Sequence, residues 1–409
     1  MSEKKERFRN WAIDLAAIEF FYYFGTACNN YLTLFLKSQG YAIDQVSKLN
    51  ILFNIVGVCS TPLIGVLADK IRSSRKTEIL VLIGFILFHL FIPISAAMFK
   101  GAAIIMIGCI VLSKFFYGPS QSLMESTVIV GCNNSGTDYG KVRLWGSLSW
   151  VIMSAATATF VTVDNVWITF ACLSFGLAPC IYFFIKIKPI AGDVVKKKEE
   201  PAQKLPFKKL FTSPYFLAYI ALTVAVKIEQ SCNGVYLPYL IEEVGGNMAF
   251  QGYIQAYNAS FQIPVLLFSS QIGKKVSLKN MCVISTILTG LLAVCYGMAN
   301  SFGAILAFTT FTAIGSGFNI AGSYKFIFCL APKELQSTGQ TIVGACTSFA
   351  GIIGSFLGAA LVNSLGVKSF YIVCGIIILV VSFLYILSFP FFENVLHIPF
   401  VDYTKEENA

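Results

Sequence analysis

Charge is scarce in this sequence. Asp, Glu, Lys and Arg make up 12% of its 409 residues, against about 25% in a soluble domain. Two histidines, His89 and His397, are too few and too far apart for a metal centre. The twelve cysteines include no C-x-x-C pair. Most of them, among them Cys28, Cys59, Cys109, Cys295 and Cys346, lie inside apolar stretches and read as reduced, buried small residues rather than disulfides. No nucleophile–base set, cofactor motif or metal-ligand cluster appears, so neither an enzyme nor a cofactor is expected. No A-x-A-like cleavage site follows the first apolar run, which is too long for a signal peptide and reads as a retained helix. These deficits exclude a soluble enzyme, a disordered chain and a fibrous protein.

What the chain has instead is apolar length: 56% of its residues are hydrophobic. The apolar runs fall at 11–36, 46–68, 78–99, 102–128, 142–163 and 166–187, then at 214–240, 250–272, 280–300, 302–329, 339–364 and 367–392. A transmembrane helix needs roughly 20 such residues. The expected fold is therefore all-α, a polytopic membrane protein of 12 transmembrane helices in two six-helix halves. The expected boundaries are an N-terminal half over 1–187, a basic cytoplasmic linker over 188–212, a C-terminal half over 213–393 and a short cytoplasmic tail over 394–409.

The net charge of +9 fits orientation in a bilayer better than nucleic acid, because the basic residues sit between the spans. Lys4, Lys5, Arg7 and Arg9, then Lys70, Arg72, Arg75 and Lys76, the linker lysines, and Lys274, Lys275 and Lys279 all fall on one side. The other side carries little more than Lys37, Lys100 and Lys368. By the positive-inside rule both termini are cytoplasmic, and a multi-pass protein of a bacterial-type inner membrane follows. Two six-helix halves around a long inner linker are the layout of many secondary transporters.

The loop after the second run reads Gly65-Val66-Leu67-Ala68-Asp69-Lys70-Ile71-Arg72-Ser73-Ser74-Arg75-Lys76. It resembles the G-x-L-[AS]-D-(R/K)-x-x-x-R-(R/K) signature of the major facilitator superfamily. The glycine permits close helix approach, and Asp69 suits a helix N-terminus or a neighbouring arginine. Gly65, Asp69, Arg72 and Arg75 are the expected conformational latch. The equivalent loop of the second half, Gly273 to Lys279, has no Asp.

Ionisable residues inside apolar runs are costly and are functional candidates by default. They are Asp14, Glu19, His89, Lys114, Glu125, Arg143, Lys227, Glu229 and Lys325. Asp14 and Lys325 lie near span ends, and His89 reads as a core histidine. Glu125 and Arg143 flank one inner loop at similar depth, and they either close the inner face as a salt bridge or exchange each other for a sugar's hydroxyls.

The segment from Glu125 to Trp150 resembles the lactose permease group of oligosaccharide–proton symporters. In that group a span-4 Glu precedes, by eighteen residues, an Arg in a Y/F-G-x-x-R-x-(aromatic)-G pattern; here it is Tyr139-Gly140-Lys141-Val142-Arg143-Leu144-Trp145-Gly146. The resemblance implies that Glu125 and Arg143 bind sugar hydroxyls and that Trp150, seven residues further on, stacks on the sugar ring. The same stretch resembles phenylpropionate permease-like and nucleoside permease-like relatives. Asn30, Asn233 and Gln255 join the set as polar candidates for a hydroxylated solute.

The group's proton relay has no counterpart: runs 8, 9 and 11 carry no charge in their spans, and run 10 offers only Lys325. Glu19, Lys114, Lys227 and Glu229 are the remaining proton-coupling candidates. The sequence thus reads as a transporter importing a small solute, a sugar or oligosaccharide, by proton symport with alternating access, with a nucleoside or aromatic-acid permease or an uncoupled sugar facilitator as alternatives. Its expected partners are the solute, the proton and the bilayer, with a monomer as the expected state.

Overall fold

The computed structural model describes residues 2–71, 73–98, 103–187, 208–268, 275–332 and 335–403. Arg72, most of the linker and residues 404–409 lie outside the described residues, as does the side chain of Asp69. Every regular element described is a helix: α1 (Ser2–Thr26), α2 (Leu32–Ser38), α3 (Ile43–Ile71), α4 (Ser74–Met98), α5 (Ala103–Ser135), α6 (Tyr139–Phe160), α7 (Ile168–Lys186), α8 (Lys208–Thr212), α9 (Pro214–Glu243), α10 (Gln251–Leu267), α11 (Leu278–Met298), α12 (Phe302–Leu330), α13 (Gln336–Leu365) and α14 (Val367–Asn394).

Eight of these, α3, α4, α5, α7, α11, α12, α13 and α14, are long and apolar enough to cross a bilayer. The sequence suggested twelve spans. Of the rest, α2, α8 and α10 are shorter, at 7, 5 and 17 residues, and α6 and α9 carry Arg143, Lys227 and Glu229 within their apolar stretches. The first apolar run is also not one helix. It breaks at a 3-10 turn over Ala27–Tyr31, where the Asn30 side chain donates to the Ala27 carbonyl at 3.3 Å and so competes with the helical ladder.

The helices are built for an apolar solvent. On α14 the buried positions Phe370, Cys374, Ile378, Ser382, Tyr385 and Phe389 recur at helical spacing, while Ile376, Ile377, Val380, Phe383, Leu384 and Leu387 face outward. Phe175 on α7 is 78% exposed. A helix apolar all round suits hydrocarbon. Buried hydroxyls return to their own helix: Thr26 donates to the Tyr22 carbonyl at 2.8 Å and Thr77 to the Ser73 carbonyl at 2.9 Å. Helix starts are capped in loops, as where Asp138 Oδ1 accepts from the Gly140 N–H at 2.8 Å and where Ser213 precedes Pro214. Gly366, at φ 84°, makes the turn between α13 and α14, a conformation open to glycine.

The chain forms two compact units, Met1–Lys198 with Asn247–Ala259, and Glu199–Gly246 with Ser260–Ala409. In the first, α1 packs on α6 and α7, α4 on α5 and α7, and α3 on α5. In the second, α9 packs on α13 and α14, and α11 on α12 and α14. The pairing order repeats: α9 holds the place of α1, and α11 that of α4. The stretch Asn247–Ala259 belongs to the first unit through polar contacts, Tyr31 Oη to the Ala249 carbonyl at 3.2 Å and Gln251 Nε2 to the Asn30 carbonyl at 2.9 Å.

Close helix approach depends on glycine. A Cβ at Gly118 of α5 would sit 2.7 Å from the Gly57 carbonyl oxygen and from Ser60 Oγ of α3. Gly118→Val should therefore lower the detergent unfolding midpoint, by the about 1–3 kcal/mol typical of overpacking. Gly108→Val, whose Cβ meets nothing within 4 Å, should leave the midpoint unchanged.

Candidate substrate site

Glu19 and Tyr23 stand one turn apart on α1, and Gln121 and Glu125 one turn apart on α5; Arg143, Gly146 and Trp150 share a face of α6. The helices bring these seven residues together. Tyr23 Oη donates to Glu125 Oε1 at 3.0 Å. Gln121 Nε2 donates to the same oxygen at 3.0 Å and lies 3.3 Å from Tyr23 Oη. The Arg143 guanidinium lies 4.1 Å over the Tyr23 ring, and its Nη1 is 3.8 Å from Glu19 Oε2. Trp150 meets Tyr23 edge-on, with centroids 6.2 Å apart.

The pairing differs from the sequence expectation. The acid at ion-pair distance from Arg143 is Glu19, whereas Glu125 takes its hydrogen bonds from Tyr23 and Gln121. The reason is helix geometry: Glu19 and Tyr23 flank Gly146, where a Cβ would lie 2.6 Å from the Tyr23 ring and 2.9 Å from both Arg143 Nη1 and Glu19 Oε2. The missing side chain lets α1 close onto α6. Glu19 is 0% exposed, and neither of its oxygens nor Arg143 Nη1 has a hydrogen-bond partner among the described residues. Gln121 is exposed and Glu125 half-buried, so they form the accessible rim and Glu19 the floor.

Two carboxylates and one guanidinium give the cluster a formal charge of −1, and a single proton brings it to zero. Arg143 offers planar donors, Glu125 offers acceptors, and Tyr23 and Trp150 offer aromatic surface. Donor, acceptor and ring surface together match a solute of hydroxyls on an apolar ring.

The other candidates lie elsewhere. Asn30 spends its side chain on the Ala27 carbonyl, and Asn233 accepts from Tyr371 Oη at 2.8 Å in the second unit. Gln255 lies half-buried on α10. Lys114 Nζ donates to Asn29 Oδ1 at 3.3 Å and sits 5.4 Å over the Tyr117 ring. Glu229 is 3% exposed, and Lys227 lines a separate cavity of the second unit. Of the latch residues, a Cβ at Gly65 would meet nothing. Arg75 is buried and donates to the Phe184 carbonyl at 3.1 Å, at the end of α7.

Two participants were not singled out from the sequence. Gln121 carries no charge and so raised no alarm, although its i, i+4 spacing to Glu125 was a usable signal. Glu78 is fully buried and accepts from Ser120 Oγ at 2.9 Å, which in turn lies 3.1 Å from Tyr22 Oη.

Among the described residues the chain is all-helical, with eight helices long and apolar enough to cross a bilayer, as a polytopic membrane protein requires. Residues 12–373 match the MFS_1 like family, and the chain belongs to that family. A probable 3-phenylpropionic acid transporter of Escherichia coli (strain K12) is 24% identical over 178 residues, spanning 42% of this chain and 45% of its own length. A maltose permease of Geobacillus stearothermophilus is 21% identical over 334 residues, 80% of this chain and 79% of its own. Among solved structures, the nucleoside transporter NupG superposes with a TM-score of 0.71 at 14% identity, covering 93% of this chain and 99% of that one. A POT family transporter in complex with a thioalcohol-conjugated peptide gives 0.73 at 16% identity, covering 92% and 95%. These structures share the fold.

Gly146→Val should push Tyr23 and Glu19 off α6 and abolish any ligand-induced rise in melting temperature. Circular dichroism should show that the helices remain; a retained ligand shift would mean that the seven residues do not act as a unit.

Proposed function

We propose that this chain is a twelve-helix transporter of two six-helix halves that imports a sugar or oligosaccharide across the inner membrane by proton symport and alternating access. The observation that carries this reading is the Glu19–Arg143–Tyr23–Glu125 cluster with Trp150 at its side. Charge-assisted hydrogen bonds from Arg143 and to Glu125 are directional and strong, and a sugar hydroxyl can both accept and donate. Trp150 supplies the plane for the ring's C–H face. The maltose permease and 3-phenylpropionic acid transporter among its relatives support a small solute, and the chain is taken to act as a monomer. The termini and linker are cytoplasmic by the distribution of lysine and arginine.

Proton coupling follows from the charge count. Glu19 sits on the floor against Arg143, and when Glu125 engages a solute hydroxyl the proton on Glu19 keeps the buried cluster neutral. Glu229 is the corresponding buried acid of the second unit.

Arg143→Ala should weaken glycoside binding by about ten- to a hundredfold, the loss expected for one charge-assisted contact, and Glu125→Ala should do likewise. Near-normal uptake in both variants would sink the site assignment. Glu19→Gln should retain binding in a thermal-shift assay yet lose the alkalinisation that accompanies solute addition to cells. An unchanged pH trace in that variant would remove Glu19 as the proton carrier and leave Glu229→Gln as the next to test.

A further inference from the structure

The second unit holds a cavity of about 600 Å³ that the cluster described above does not use. Its polar lining comes from four helices, and includes Lys227 and Gln230 of α9, Thr286 of α11, Asn319 and Ser323 of α12, and Gln340 of α13. Its size lies in the range of small-molecule sites, about 300–1,000 Å³. No acid is among the lining residues. Lys227 is half-buried mid-way along α9 and forms no ion pair among the described residues. Glu229, two residues on, points to the other side of the helix.

Lys227 is also held in place. A Cβ at Gly354 of α13 would lie 2.6 Å from the Ile228 carbonyl oxygen, and one at Gly351 would lie 3.9 Å from Lys227 Cε. Cys232 Sγ donates to the Gly354 carbonyl at 3.1 Å. These contacts hold α9 against α13 just C-terminal to Lys227 and place its stem beside Gly351.

An ammonium in apolar surroundings needs an anion, and no acid lines the cavity among the described residues. The neighbouring groups are all neutral. Amides of Gln230, Asn319 and Gln340 each both donate and accept, and so match hydroxyls. We propose that this cavity is a binding subsite for the carboxylate of a hydroxylated organic anion, a sugar acid, with Lys227 holding the carboxylate and the amides reading hydroxyls. This rests on the sugar reading above and narrows its solute class.

The test is a thermal-shift titration of the purified full chain with matched pairs: glucuronate against methyl glucoside, and 3-phenylpropionate against 3-phenylpropanol. Wild type is compared with Lys227→Gln, Lys227→Arg and Arg143→Ala. The expected result is that glucuronate stabilises the wild type more than methyl glucoside does. Lys227→Gln should weaken glucuronate by about ten- to a hundredfold and leave methyl glucoside unchanged, and Lys227→Arg should restore the difference. The restoration separates charge recognition from a packing role. Equal glucuronate shifts in wild type and Lys227→Gln overturn the subsite and leave the sugar reading standing. So does a shift with methyl glucoside alone. A shift with 3-phenylpropionate alone, lost in Lys227→Gln but kept in Arg143→Ala, overturns the sugar-acid assignment and the sugar reading together.

Discussion

Arg143 cannot lose its charge, and it sits among apolar helices, so everything near it must answer that charge. The answer comes from two neighbouring helices. Glu19 of α1 stands 3.8 Å away, the Tyr23 ring lies 4.1 Å beneath, and Glu125 of α5 is tied in through the Tyr23 hydroxyl. The cost of an unanswered guanidinium in hydrocarbon is large, and that cost fixes the register of α1 against α6. Gly146 is the geometric condition for the arrangement, since any side chain there would occupy the space of Tyr23, Arg143 and Glu19 at once. Two carboxylates beside one guanidinium leave the cluster one negative charge in excess, which a proton or a solute donor can answer.

The second unit solves the same problem differently. Its helices pair in the same order, yet its polar residues separate by face. Glu229 is buried on one side of α9, on the helix whose Asn233 accepts from the Tyr371 hydroxyl, while Lys227 opens into a cavity of neutral amides. Two repeats of one packing plan therefore arrange charge differently: a clustered, net acidic set in the first, and an acid and a lysine on separate faces of α9 in the second. The glycines of α13 play the part that Gly146 plays on α6, letting a neighbouring backbone approach so that a long polar side chain is placed by its helix rather than by a loop.

Much of this was legible in the chain itself. The apolar runs located the helices, because burying or lipid-facing length is a local property of sequence. The spacing of Glu125, Arg143 and Trp150 marked two of the three helices of the site. The sequence was less informative where polarity diluted a span. The helices α1, α6 and α9 mix apolar residues with Glu19, Arg143, Lys227 and Glu229, and the first run conceals a break at Ala27–Tyr31, where the Asn30 side chain bonds the Ala27 carbonyl.

What the sequence determined alone was the solvent of the protein, the approximate position of its helices and the short list of charges that hydrocarbon would not tolerate without a purpose. Which charges meet was decided only in three dimensions. Arg143 pairs with Glu19, 124 positions away along the chain, and not with Glu125, and Glu78 acquires a partner in Ser120 that no spacing rule supplies. The physical reason is that helical periodicity tells which residues share a face but not which faces meet. That second choice is made by glycines that allow contact and by buried charges that require it.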